Sequence, residues 1–281
     1  MKKVKYGQNF LVNKEIAQKI VDSCNFSAGD NILEIGSGEG ILTELIGGKT
    51  KSLTILEIDP FYISYLKGKL SIGKNLSKAG INKINFVNID ALKFDFINFA
   101  GSLNSKLRVI SNLPYEISSP IMEKFIKEKG VFSDLTLMFQ KEFAQRISAK
   151  ENDPQRGALS VIVQANFDTN CLFDVSKTEF NPMPDVDSSV LRLIPKLSSD
   201  CDLIWAQSSP FFNYFVHQIF KFRRKMLKNS IYSSFLSIPP DAKEKVFKEA
   251  GIDLARRPQT LSVTEFIMVA KSYNDYLGMK V

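Results

Sequence analysis

The chain is poor in the groups from which nucleophilic hydrolases and metalloenzymes are built. Among its 281 residues there is one histidine, His217. It lies far along the chain from the glycine-rich region, so a Ser-His-Asp or Cys-His nucleophile would have to be assembled on that single imidazole. The three cysteines, Cys24, Cys171 and Cys201, are scattered and odd in number. They form neither a disulfide framework nor a zinc spacing, so no metal is expected and a reducing cytoplasmic compartment is. No apolar run is long enough to span a bilayer, and no membrane is expected as a partner. The basic start Met1-Lys2-Lys3-Val4-Lys5 gives way to Tyr6-Gly7-Gln8-Asn9 without a signal-peptide core. Repeats and low-complexity tracts are absent too.

Acidic residues are also in short supply, 30 against 37 Lys and Arg, for a net charge of +7. That balance leans towards a polyanionic partner. Hydrophobic residues at 44% and charged residues at 24% are ordinary for a globular chain. The length suits one large domain and one small one.

What is present is a series of apolar strands that end in chemistry. Asn31-Ile32-Leu33-Glu34-Ile35 runs into Gly36-x-Gly38-x-Gly40, and a helical pattern follows. Glycines let a turn be tight and let backbone approach a ligand. The spacing differs from the G-x-G-x-x-G of dinucleotide sites and is closer to the E/D-x-G-x-G-x-G of S-adenosyl-L-methionine methyltransferases. The next strand, Leu53 to Ile58, carries Glu57 near its end, where a carboxylate can accept both ribose hydroxyls of an adenosine. Pro60 then opens a helix with Tyr62, Leu66 and Leu70 as its apolar residues. A third strand from Ile84 ends at Asp90, placed to accept from an exocyclic adenine amine. The fourth, about 107–112, ends in Asn112-Leu113-Pro114-Tyr115. Pro114 lacks an N–H and pushes Leu113 towards an extended conformation, so carbonyls can point outward beside the flat ring of Tyr115. Acceptors next to a stacking surface suit a planar group that bears an amine. A helix over 117–127, a strand over 135–139 and a helix carrying Phe143, Ala144 and Ile147 come next. Upstream, Asn13 reads as the N-cap of a helix from Lys14 to Cys24.

The last 81 residues read as separate. After Ser198-Ser199-Asp200 the composition shifts, and helical patterns run over 210–235, 240–250 and 262–276. Residues 201–281 hold twelve Lys and Arg against seven Asp and Glu, most of the excess charge. Lys221, Arg223, Arg224, Lys225 and Lys228 interleave with Phe220 and Phe222. The run reads as a phosphate-binding helix or as a solvated helix face.

Nearly the whole chain resembles the KsgA (RsmA) family, the bacterial small-subunit rRNA adenine N6,N6-dimethyltransferases. Tyr6-Gly7-Gln8-Asn9-Phe10-Leu11 resembles the family's F-G-Q-N-F-L, and Glu34-Ile35-Gly36-Ser37-Gly38 its E-I-G-P-G. Glu57-Ile58-Asp59 and Asp90-Ala91 fall at the family's spacing. Asn112-Leu113-Pro114-Tyr115 is its N-L-P-Y, and Gln140-Lys141-Glu142 its Q-K-E. The stretch from Phe180 through Pro182, Pro184 and Val186 to Ser188 resembles F-x-P-x-P-x-V-x-S. Phe222 to Leu227 and Arg257 to Ser262 resemble its C-terminal signatures. Tyr6 for Phe and Ser37 for Pro are departures.

The resemblance implies an α/β fold: a Rossmann-like class I methyltransferase domain over residues 1–200, and a small all-helical, basic RNA-binding domain over 201–281. It implies S-adenosyl-L-methionine as cofactor, and 16S rRNA in the immature small ribosomal subunit as partner of a monomeric enzyme. Asn9, Leu11, Gly36, Glu57, Asp90 and Asn112 would bind the cofactor. Asn112 and Leu113 would accept from the target adenine amine, with Pro114 shaping the turn. Tyr115 would stack on the flipped base, and Phe180 would face it from the other side. Arg223, Arg224 and Lys225 would contact RNA. Three other readings stand beside this one. The first is a large-subunit methyltransferase of the macrolide-resistance type. The second is an RNA-binding assembly factor without activity. The most distant is a nicotinamide dehydrogenase.

Overall fold

The computed structural model describes residues 9–46, 50–72, 84–233 and 240–278. Tyr6, Gly7 and Gln8 of the leading motif lie outside them. The chain divides into two compact units, one of Met1–Ala144 with Thr169–Pro195, the other of Gln145–Asp168 with Lys196–Val281.

In the first unit the strands are β1 (Phe10–Leu11), β2 (Asn31–Ile35), β3 (Ser52–Glu57), β4 (Ile84–Asn88), β5 (Leu107–Asn112), β6 (Phe132–Gln140), β7 (Phe167–Val175), β8 (Phe180–Asn181) and β9 (Ser188–Pro195). β7 begins two residues before the unit boundary. Among the described residues the main sheet runs β4-β3-β2-β5-β6-β9-β7. The pairs from β4 to β6 are parallel, and β9 runs antiparallel to β6. Every residue of β2 and β3 is buried, as a parallel sheet covered on both faces requires. This is the α/β architecture that the resemblance implies.

Register brings those endings together. Ile35 pairs with Leu56, Glu57 with Asn88, and Glu34 with Ile110. The Gly36 turn, Glu57, Asp90 and Asn112 therefore sit side by side at the carboxyl ends of four neighbouring strands. Helix α1 (Lys14–Cys24) starts where the Asn13 side chain accepts from the amides of Glu15 and Ile16, as read from sequence. Its Ala17, Ile20 and Val21 join Ile32, Ile55 and Ile110 in the core. After the glycine turn comes α2 (Ile41–Ile46), and Pro60 opens α3 (Pro60–Ile72). Asp59 caps α3 by accepting from the Phe61 amide at 2.9 Å.

The second unit is helical but is not simply the tail of the chain. The helix Ala158–Asn166 belongs to it. Six of its nine residues are buried, and it packs on the helices Cys201–Ser208, Pro210–Phe220 and Val263–Tyr276. Arg156 is fully buried beside it and donates to the carbonyls of Ala149 and Leu261 and to Gln164. The division at residue 200 thus becomes one at Lys196, with Gln145–Asp168 reassigned, because an apolar helix reports burial without reporting its partner.

The pattern read over 210–235 is two helices, Pro210–Phe220 and Leu227–Ser233. Residues 221–226 between them form successive turns, with the Arg223 amide donating to Phe220 and the Lys225 amide to Phe222. The amides of Leu227 and Lys228 donate to the carbonyls of Arg256 and Leu254. That contact holds the first turn of the second helix. Pro240–Glu249 and Val263–Tyr276 complete the helices, the latter opened by a capping box of Ser262 and Glu265.

Candidate active site

A cleft of about 1100 Å³, counted to its open mouth, lies over the carboxyl ends of β2, β3, β4 and β5. The fold places ligand sites in this crevice. Its lining includes Asn9, Leu11, Gly36, Glu57, Asp90, Asn112, Leu113, Pro114 and Tyr115. Residues more than 100 positions apart in the chain are thereby brought to one pocket.

The glycine turn forms one wall. Gly36 and Gly38 have φ of +70° and +50°, conformations costly for any residue with a side chain. The Gly36 amide donates to Leu56 at 2.8 Å, holding the turn against β3. A Cβ on Gly38 would stand 2.6 Å from the Phe10 ring. Phe10 in turn packs on Tyr62 of α3, with ring centroids 5.3 Å apart. Ser37 occupies the proline position of the resembling motif. Its buried hydroxyl has no hydrogen-bond partner among the described residues.

Glu57 is buried at the end of β3, and each carboxylate oxygen already accepts one backbone amide at 3.0 Å, Gly38 on one and Asp59 on the other. Burial raises its pKa, and those amides pull it back. Each oxygen keeps a further lone pair for a ligand hydroxyl. Glu34, quoted above within a motif and given no role, lines the same cleft and is fully buried. Burial pushes its carboxyl up to about 7, Thr43 opposes this by donating a hydroxyl at 2.7 Å, and the charge of Glu57 adds to the rise. Two carboxyls at an apolar cleft favour a cationic ligand. Asp90 spends one oxygen on the Leu92 amide at 2.9 Å, capping a short turn. Its other oxygen accepts no hydrogen bond among the described residues.

Asn112 closes β5. The pairing of β2 with β5 stops at Ile110, so Asn112 and Leu113 overhang the sheet on that side. The Asn112 amide nitrogen donates to the Asn9 carbonyl at 3.1 Å. The side-chain oxygen is left as an acceptor. Tyr115 follows in a single 3-10 turn, half-buried, with its hydroxyl 2.8 Å from the hydroxyl of Ser188. Burial raises the phenol pKa, and the Ser188 bond lowers it. Ser188 was likewise quoted in a motif without a role. Only the fold shows that the motif's serine reaches the N-L-P-Y tyrosine.

Phe180 is the exception among the candidates. It is 4% exposed, pairs with Leu11 across β1 and β8, and packs in the core with Met138 and Val190. It is absent from the cleft lining and presents no face on which a base could stack, which corrects the expectation that it opposes Tyr115. Arg223, Arg224 and Lys225 are exposed in the turns over 221–226 of the second unit, so the basic run is a turn and not a helix face. The Lys225 ammonium lies 5.0 Å from the centroid of the Phe222 ring. Among the described residues no cluster of His, Cys, Asp and Glu is placed to hold a metal ion, and no helix is long and apolar enough to cross a membrane.

The sequence matches the family described as Ribosomal RNA adenine dimethylase over residues 1–275. It is 36% identical over 271 residues to the Ribosomal RNA small subunit methyltransferase A of Clostridium botulinum (strain Langeland), covering 96% of this chain and 94% of that one. The protein of the same name from Borrelia garinii subsp. bavariensis is 34% identical over 272 residues, covering 96% and 88%. Among solved structures, a dimethyladenosine transferase from Plasmodium falciparum superposes with a TM-score of 0.78 at 26% identity, covering 95% of this chain and 98% of that one. The 23S rRNA methyltransferase ErmE superposes at 0.69 with 22% identity over 95% and 100%, a likeness of fold.

Proposed function

This chain belongs to the ribosomal RNA adenine dimethylase family, and on that premise we propose that it dimethylates two adjacent adenosines in the loop of the 3'-terminal hairpin of 16S rRNA. It is an rRNA adenine dimethyltransferase whose cofactor is S-adenosyl-L-methionine. The proposed setting is the immature small subunit, which a monomer engages in the cytoplasm during ribosome biogenesis. When bound, the cofactor supplies an electrophilic methyl group on a sulfonium sulfur.

The residues of the cleft fit that group. Glu57 would accept from the ribose hydroxyls, the remaining oxygen of Asp90 from the adenine amine, and the Gly36 turn would leave room for the methionine part. Asn9 and Leu11 cover the pocket from the leading segment. The two carboxyls, Glu57 and Glu34, suit its positive charge.

One observation carries the assignment of chemistry: the Asn112 nitrogen is committed to Asn9, so its oxygen is the acceptor presented to a substrate. An adenine N6 amine is a poor nucleophile because its lone pair is delocalised into the ring. If the Asn112 oxygen and the Leu113 carbonyl accept its two N–H groups, the nitrogen becomes pyramidal and its lone pair can be aimed. Orientation of that kind lowers a barrier by roughly 7–11 kcal/mol at best. The methylated nitrogen is strongly acidic and gives its proton to water, so no dedicated base is needed. Tyr115 offers the unstacked base a ring in place of its neighbours. Arg223, Arg224 and Lys225 contribute phosphate contacts.

The test is methylation of unmodified small and large subunits in vitro, read by nucleoside mass spectrometry and primer extension. Dimethyladenosine at two adjacent positions near the 3' end of 16S rRNA is expected. Modification of 23S rRNA instead, or none at all, overturns the reading.

A further inference from the structure

We propose that Ser188 is a positioning residue for methyl transfer, fixing the place of the Tyr115 ring against which the target base lies. The inference rests on the proposed role of Tyr115.

Tyr115 sits in a 3-10 turn after Pro114, and no other ring stacks on it among the described residues. A tyrosine ring on a turn can rotate about two side-chain torsions. The hydroxyl lies on the axis of the second torsion, so tethering it stops the ring from swinging about the first and holds the ring's position. The 2.8 Å contact to Ser188 is such a tether.

A tether works only if its far end is fixed, and Ser188 is held on every side. It is fully buried and opens β9, paired with Gln140 of β6. On one flank, the Asp187 carbonyl accepts from the Lys141 amide at 2.9 Å, and the Asp187 side chain accepts from the Lys177 amide at 2.9 Å. On the other, the Ser189 hydroxyl donates to Asp174 at 2.6 Å, and Asp174 is ion-paired with Lys141 at 2.6 Å. The hydroxyl of residue 188 is thus a rigid reference point, and the far end of the ring takes its position from β6 and β9 rather than from its own short turn.

The consequence is specific to the amine. Stacking tolerates a ring that swings, but aiming a nitrogen lone pair does not, because a base that swings with its platform moves its amine away from the Asn112 oxygen. Loss of the tether should therefore reduce turnover and leave cofactor and RNA binding in place.

The experiment compares Ser188→Ala, Tyr115→Phe and the double variant on unmethylated small subunits. Each single change is expected to lower kcat about tenfold, the usual weight of one hydrogen bond in a preorganised site. The KM for subunits and the affinity for S-adenosylmethionine, by calorimetry, should stay within about twofold of wild type. The double variant should be no slower than either single one, because both remove the same bond. A multiplicative loss in the double variant overturns the proposal, as does wild-type kcat in Tyr115→Phe. Should Ser188→Ala fail to fold, Tyr115→Phe still reads the bond, since it leaves the buried serine in place. The two hypotheses fail differently. Wild-type protein that makes no dimethyladenosine sinks the proposed function, whereas active wild type with fully active single variants sinks this inference alone.

Discussion

The side-chain nitrogen of Asn112 donates to the backbone carbonyl of Asn9, 103 residues earlier in the chain, at 3.1 Å. The bond decides which end of a symmetric-looking amide faces substrate. With its nitrogen turned to the leading segment, Asn112 offers an incoming amine its oxygen as an acceptor, the polarity that methyl transfer to N6 needs.

Asn112→Ala is accordingly expected to abolish or severely cut methyl transfer while leaving the fold and most RNA affinity intact, since RNA binding draws on a larger charged surface. Asn112→Asp is the sharper probe. It still accepts from N6 but loses the donor to Asn9 and sets a carboxylate against that carbonyl. The second transfer should suffer most, because the nitrogen then has one N–H and must be turned. Monomethyladenosine should accumulate over dimethyladenosine, read by nucleoside mass spectrometry. A wild-type product ratio contradicts the orientation argument.

Glu57→Ala removes more than a pair of ribose contacts. The carboxylate also accepts the amides of Gly38 and Asp59, so the glycine turn loses an anchor. Affinity for S-adenosylmethionine should fall by roughly 1.5–3 kcal/mol, the worth of a charge-assisted hydrogen bond. Calorimetric titration showing unchanged affinity would remove Glu57 from the cofactor site.

Glu34 gives the protein a pH signature. Its folded pKa, about 7, lies above the ordinary 4.5 because the carboxyl is buried, with the Glu57 charge adding to the rise. Its contribution to stability is therefore full below the ordinary value and is lost as pH rises through about 7. Glu34→Gln escapes that loss, so its melting temperature relative to wild type should climb across this window. Cofactor affinity should move the other way. Ionised Glu34 attracts the sulfonium, so wild-type affinity should rise several-fold between about pH 6 and about pH 8. The Gln variant should lack that rise. Parallel pH profiles in the two proteins would rule Glu34 out as the titrating group.

Neutralising Arg223, Arg224 and Lys225 should weaken subunit binding and flatten its salt dependence by about one unit per lost phosphate contact. Binding of free S-adenosylmethionine should be unaffected. A triple variant with unchanged affinity and slope assigns the turn to bulk solvent.

The parts of this molecule legible in the sequence were those set by local rules. Apolar strands, the glycine turn after β2, the Asn13 cap and the acids closing β3 and β4 all announce themselves in a few residues. Less legible was whatever depends on a distant partner. Nothing within Ala158–Asn166 says that it packs with helices beyond residue 200. Nothing in the run from Lys221 to Met226 says that one helix stops at Phe220 and the next begins where the amides of Leu227 and Lys228 meet the carbonyls of Arg256 and Leu254. Phe180 shows the limit of a motif: its position is as expected, but its ring faces Leu11 and the core. Glu34 and Ser188 stood in plain view within motifs, yet their partners Thr43 and Tyr115 come from other segments.

The pairing of β1 with β8 has a consequence in time. Leu11 meets Phe180 and Phe10 meets Asn181, while the Val12 amide and the Asn13 side chain both reach Glu179. The segment that covers the cofactor pocket thus has its strand partner some 170 residues downstream, and closing so long a loop is entropically slow. A ribosome making this chain must deliver residue 181 before residues 10 and 11 can be seated. The first element synthesised is therefore among the last to be fixed, and the nascent protein acquires a complete cofactor pocket only after its whole parallel sheet has been made.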